Sequence, residues 1–140
     1  MVAADPGTAG YWVARTFSTT ELGSVQVPAD ADAAGFAVAC AVVSRLRRPL
    51  RPALAVVDGP LDDGVQEVLE AAANLGVAVA VEVWQDDGEA LDADAPLARL
   101  EAITRADRTQ VATLTSDRSQ LDDMVGVAGP VVAWQRRLVG

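Results

Sequence analysis

The chain has 140 residues, 51% of them apolar, and a formal net charge of −9 at pH 7. Such a length predicts a single domain, residues 1–140, that buries enough apolar surface to fold without disulfide bonds or metals. The sequence contains no histidine and no lysine, which excludes Ser-His-Asp triads, histidine-bound zinc, P-loops and Schiff-base lysines.

The same composition limits where the protein is expected to be located and which partners it is expected to bind. No apolar run approaches the roughly 20 residues of a membrane span, and the first residues lack the basic and apolar regions of a secretory signal. With one cysteine and therefore no internal disulfide, we expect a cytoplasmic protein without a membrane partner. The acidic charge disfavours nucleic acid, so a protein partner or a homo-oligomer is expected.

The first half of the chain predicts three strands and a helix. Residues 1–4, "MVAA", are consistent with a short strand, and residues 11–18 and 23–28 are rich in β-forming side chains. Residues 30–46 predict a buried helix, with acids at its start and arginines at its end. The larger apolar side chains of that helix share one face, which we expect to be buried: Phe36, Cys40, Val43 and Leu46. "RLRRPLRP" at 45–52 is compatible with a phosphate-binding patch, but compensation of the helix C-terminus is favoured.

The second half predicts a β-α-β crossover. "ALAVVD" at 53–58 is typical of a buried strand, residues 61–75 of an amphipathic helix, and residues 77–84 of a second strand parallel to the first. Beyond an acidic loop, the pattern indicates a helix that begins near Pro96, a strand at 111–115 and a last short strand at 129–134.

Because histidine and lysine are absent, carboxylates are the side chains on which a catalytic or metal-binding site would depend. Asp58 ends a predicted strand, Asp5 follows the short first one, and Asp122 and Asp123 lie near the chain's end. Ligands of open α/β sheets bind beyond the carboxyl ends of the strands. Three carboxylates that converge there would repel one another unless a divalent cation bound between them. The alternative interpretation is that such aspartates cap turns and helices, and we favour it because aspartate is a strong N-cap residue.

"DPGTAGYWVA" near the start, the strand-rich stretch after it and "ALAVVD" together resemble the RuvC/YqgF branch of the RNase H-like fold, over about residues 1–84. The resemblance implies a three-layer α/β domain with a mixed central sheet; a Rossmann-like or flavodoxin-like parallel sheet is the alternative. It places the first acid at Asp5, the glycine pair at Gly7 and Gly10, and the strand-four acid at Asp58, where the branch usually has glutamate. The final acid is Asp122 or Asp123.

The function implied by this resemblance is metal-dependent phosphodiester cleavage, with Mg²⁺ or Mn²⁺ held by Asp5, Asp58 and Asp123. The RuvC-type enzymes are basic and use lysine, whereas this chain is acidic and has none. We therefore predict a non-catalytic or degenerate subunit that binds a partner, with the nuclease as the alternative.

A second alternative comes from "LAVVDGPLDDGVQEVLEAAANLGVAVAV" and the later "TLTSD", which resemble haloacid-dehalogenase-type phosphatases. That resemblance implies Asp58 as the nucleophile and Thr115 or Ser116 as the phosphate-binding hydroxyl. Pro60 stands where the family has its second acid.

Overall fold

The structure is a computed structural model that describes residues 1–19, 21–30, 32–85, 101, 105, 107–115, 123, 126 and 127. Its elements in chain order are β1 (Val2–Ala4), α1 (Thr8–Thr16), β2 (Val25–Gln26), α2 (Phe36–Arg47), β3 (Leu54–Asp58), α3 (Asp63–Asn74), β4 (Ala80–Gln85) and β5 (Gln110–Thr115). Strands and helices alternate over most of this length, which is the pattern of an α/β fold.

The five strands form one sheet in the order β2-β1-β3-β4-β5, and every neighbouring pair is parallel. The expectation of a mixed sheet is therefore wrong for the described strands. It depended on a second strand at 11–18, and those residues lie mostly in α1. The observed order is that of flavodoxin-like doubly wound sheets, in agreement with the alternative we gave for the fold.

Residues 8–16 form a helix although many of them have high β-propensity. Ala9 and Val13 are one helical turn apart, and both are buried in the core cluster that contains Val56 of β3. A helix that joins two parallel strands covers one face of the sheet, and tertiary contacts of this kind override local propensity. The requirement for a crossover between β1 and β2 thus decides the conformation of this segment.

The helices lie on both faces of the sheet. Helix α1 packs in one core cluster, whereas residues of α2 and α3 share the other with the central strands. The buried side of α2 consists of small side chains: Ala37, Val38, Ala41 and Val42. Small side chains let the helix backbone approach the sheet closely.

The predicted buried face of α2 is wrong for its C-terminal half, because Val43 and Leu46 are 54% and 49% exposed. Val43 and Leu46 therefore point away from the sheet, whereas Ala41 and Val42 face it.

The predicted crossover from β3 through α3 to β4 is confirmed, including the parallel pairing of its strands. Asp62 is the N-cap of α3, and its carboxylate accepts a hydrogen bond from the Val65 amide at 2.8 Å. The predicted strand at 111–115 is confirmed as β5. The predicted strand at 129–134 lies outside the described residues. No helix within the described ranges is long and apolar enough to cross a membrane.

Candidate functional site

The candidate site lies at the carboxyl edge of the sheet, between β1 and β3. These strands are neighbours, and the chain leaves them toward helices on opposite faces, which is where doubly wound folds form a ligand crevice. Asp5 directly follows β1, and Asp58 is the last residue of β3. The Asp5 amide donates a hydrogen bond to the Val56 carbonyl at 2.9 Å, which fixes Asp5 beside β3.

Asp5 is bound to the start of α2. Its side chain is only 4% exposed, and its two oxygens accept hydrogen bonds from the Gly35 amide at 3.2 Å and the Ala37 amide at 2.7 Å. Helix α2 has Gly35 at its N-cap position and no acid in its first turn, so it lacks a side-chain cap of its own. Asp5 supplies that cap from a distant part of the sequence.

Asp58 performs the corresponding task for α1. Its Oδ2 accepts a hydrogen bond from the Thr8 amide at 2.6 Å, at a helix whose N-cap residue is Gly7. Gly7 has φ +99°, and a Cβ built there would lie 3.1 Å from the Asp58 Cγ and closer still to Oδ2. A helix N-terminus after the first strand is the usual phosphate site of doubly wound folds. Here an internal carboxylate occupies that position.

Burial raises the pKa of Asp5 above its ordinary value. The hydrogen bonds from the Ala37 and Gly35 amides act in the opposite direction, and the negative charges of Asp58 and Asp62 raise the pKa further. The carboxylates of Asp58 and Asp62 are therefore close enough to Asp5 to act on its ionisation.

This raised pKa predicts a pH dependence of stability. The folded state binds the Asp5 proton more tightly than the unfolded state, so the resulting stabilisation is complete below the unfolded pKa and is lost as the pH rises through the folded pKa. We expect the free energy of unfolding of the wild type, minus that of Asp5→Asn, to fall as the pH increases from about 4. Urea unfolding at a series of pH values measures it. The exposed Asp63→Asn is the control, and a difference that rises with pH would contradict the assignment.

The remaining acid of the predicted metal site is not brought into this arrangement. Asp123 is an exposed helical residue, and Asp122 lies outside the part of the chain that the structure describes. Among the described residues, no group of three or more acids and cysteines is arranged to hold a metal ion. Asp5 and Asp58 thus form a pair without a described third ligand for Mg²⁺ or Mn²⁺.

The residues implied by the phosphatase resemblance are also apart. Asp58 ends β3 and Thr115 ends β5, with β4 between them. Two strand spacings separate their backbones by about 10 Å, so the two residues do not end neighbouring strands. Ser116 is not among the described residues.

A second feature, a group of arginines, lies at the amino edge of the sheet. Arg45 and Arg47 lie in the last turn of α2, as the compensation of its C-terminus requires. The Arg45 side chain donates hydrogen bonds to the carbonyls of Ala78 and Arg51, at 2.9 and 3.1 Å. Arg47 and Arg48 are exposed beside a groove. The sequence signal for this feature is the stretch "RLRRPLRP" at 45–52, which contains Leu50.

Comparisons with known proteins assign no function to this chain. No family model, no curated protein and no solved structure matches this chain.

Proposed function

We propose that this chain is a non-catalytic α/β domain that acts by binding a protein partner. The observation that supports the proposal is that the aspartates at the carboxyl edge of the sheet cap helices. Asp5, Asp58 and Asp62 each accept hydrogen bonds from backbone amides at the start of a helix. Asp5 and Asp58, on which a hydrolytic mechanism would depend, therefore hold helices in place.

Exposed apolar side chains support the binding part of the proposal. Leu22 and Leu50 are fully exposed, and Val43 and Leu46 are about half exposed. Single exposed apolar residues are ordinary, but several that share one region are typical of interaction surfaces. Val43 and Leu22 line the same groove at the amino edge.

The second candidate is a metal-dependent phosphodiesterase, favoured by the position of Asp5 and Asp58 at the carboxyl ends of adjacent strands. A carboxylate oxygen has lone pairs beyond those used by one amide, so a cation could still be accepted by both groups. The cation would offset the mutual repulsion that contributes to the raised pKa of Asp5. It would also need further ligands, because Mg²⁺ prefers six oxygen ligands in octahedral geometry.

Hydrolysis assays separate the two candidates. We expect the wild type with Mg²⁺ or Mn²⁺ to hydrolyse bis(p-nitrophenyl) phosphate no faster than the metal in buffer does, because Asp5 and Asp58 are bound to amides. The variants Asp5→Asn and Asp58→Asn should then behave as the wild type does. p-Nitrophenyl phosphate in parallel tests the phosphatase alternative. A Mn²⁺-dependent rate that falls about 100-fold in Asp58→Asn, with the circular dichroism spectrum unchanged, would overturn the proposal.

A further inference from the structure

The amino edge of the sheet carries a surface that helix capping does not explain. We call it the arginine–leucine surface and define it by six residues: Leu22, Val43, Arg47, Arg48, Leu50 and Arg51. Five of the six, all except Leu50, line a groove of about 240 Å³ between α2 and the chain before β2. The surface is at the opposite end of the sheet from Asp5, because β1 and α2 run in opposite directions between the two edges.

The positive charge of this surface is only partly neutralised. The Arg51 guanidinium forms a salt bridge with Glu21. Within the described ranges, Arg47 and Arg48 form no salt bridge, and both are exposed. Two arginines that form no salt bridge with a described residue therefore lie next to each other in a chain whose net charge is −9. At physiological salt the Debye length is about 8 Å, so charges farther than this from the two arginines are largely screened from a group that approaches them.

The apolar part of the surface is a continuation of α2's outward side. Val43 and the neighbouring Leu46 are about half exposed, and Leu22 and Leu50 extend the apolar area beyond the helix. The groove is smaller than the roughly 300–1,000 Å³ of ordinary small-molecule pockets, so it is suited to one or two inserted side chains. Cys40, which also lines the groove, packs against the core cluster of α2 and α3, and burial raises the pKa of its thiol.

We propose that the arginine–leucine surface docks an acidic protein segment that carries aliphatic side chains. Carboxylates of the segment pair with Arg47 and Arg48, and an aliphatic side chain enters the groove against Val43 and Leu22. The proposal rests on the partner-binding function proposed above and adds the chemistry of the partner.

Two other anionic classes fit the surface less well. The described residues that line it include no aromatic side chain on which a nucleic-acid base could stack, although stacking is a main contribution to single-strand binding. An anionic bilayer is an extended surface that meets a whole face of an acidic protein, whereas a short segment meets only the local arginines. Both classes are included in the test.

The test uses the full chain and a fluorescein-labelled 12-residue peptide of alternating Glu-Glu and Leu-Leu pairs, titrated by fluorescence anisotropy. The double variant Arg47→Gln/Arg48→Gln is compared with Arg105→Gln/Arg108→Gln, which removes two exposed arginines outside the surface. We expect the first pair to weaken binding about 10-fold and the second less than about 2-fold. Leu50→Ser should weaken binding several-fold, and Leu75→Ser, at another exposed leucine, should not. Replacing either the glutamates by glutamine or the leucines by serine in the peptide should also weaken binding.

Several outcomes would overturn the docking surface. They are no binding of the Glu-Leu peptide, equal losses in the two arginine pairs, or tighter binding of phosphatidylserine vesicles or a 12-nucleotide single strand. A stoichiometric partner identified on the tagged chain and retained equally by Arg47→Gln/Arg48→Gln would also overturn it, while the partner-binding function stood. Metal-dependent hydrolysis would overturn the proposed function without altering the peptide result.

Discussion

Asp5→Ala is expected to lower the free energy of unfolding by about 2–4 kcal/mol. The carboxylate is buried and accepts hydrogen bonds from the amides of Gly35 and Ala37. Alanine leaves both donors at the start of α2 without their acceptor, and the site lies between packed elements where water enters poorly. Urea unfolding followed by circular dichroism at pH 7 measures the loss.

Three further variants show whether the loss comes from this cap. Asp5→Asn keeps one acceptor oxygen and should lose less than Asp5→Ala. Asp62→Ala removes the exposed local cap of α3 and should also lose less, because solvent can replace the hydrogen bond to the Val65 amide. Asp63→Ala removes an exposed acid that is not the N-cap and should have the smallest effect. If Asp5→Ala were no more destabilising than Asp62→Ala, the buried cap would not have the importance assigned to it.

Gly7→Ala is expected to be about as damaging, with a loss of about 3–5 kcal/mol. Two effects add at this position. The backbone has φ +99°, where an L-residue with a side chain is strained, and the new Cβ would overlap with the Asp58 carboxylate. The overlap displaces Oδ2 from the Thr8 amide, so the N-terminal cap of α1 is lost as well.

Gly59→Ala is the matched control for the backbone effect. Gly59 has φ +97°, and a Cβ there meets no atom within 4 Å. The excess loss of Gly7→Ala over Gly59→Ala therefore measures the contact with Asp58, and we expect an excess of about 2 kcal/mol. A double-mutant cycle with Asp58→Ala should show coupling, because removing the carboxylate relieves the overlap in the Gly7→Ala background. Equal losses at the two glycines would contradict the close approach of Gly7 to Asp58.

The sequence predicted best where local patterns and packing agree. The apolar run at 53–58, the amphipathic helix after it and the following strand were found with their parallel pairing, because the whole unit is contiguous in the chain. Residues 11–18 were assigned to the wrong class of element. Their side chains favour a strand in isolation. They form a helix because the connection from β1 to the parallel strand β2 has to cross one face of the sheet.

The candidate site was harder to predict because its hydrogen bonds are long-range. Asp30 and Asp32 suggested where the second helix begins, but α2 starts at Phe36, and its cap comes from Asp5. Asp58 was recognised as a strand-end acid, yet nothing near Thr8 in the sequence indicates that it binds this amide. Local sequence patterns identify a cap only when the acceptor is close in the chain.

The exposed side of α2 was missed for a different reason. Helical periodicity identifies which residues share a face but assigns the largest apolar side chains to the interior by default. In this helix Ala37 and Ala41 face the sheet, and Val43 and Leu46 do not. Close contact between helix and sheet favours the small side chains, and that preference depends on the neighbouring element rather than on the helix.

The two distant caps have a consequence for synthesis on the ribosome. Asp5 is synthesised before α2, so the acceptor for the amides of α2 is already present when that helix forms. The acceptor for α1 is Asp58, 50 residues after Thr8, and it becomes available only after residue 58 has left the exit tunnel. A nascent chain that ends before residue 58 also lacks β3, the strand that holds β1 on one side. The first β-α unit is therefore completed late although it is made first, and until then its apolar residues remain open to proteases and chaperones.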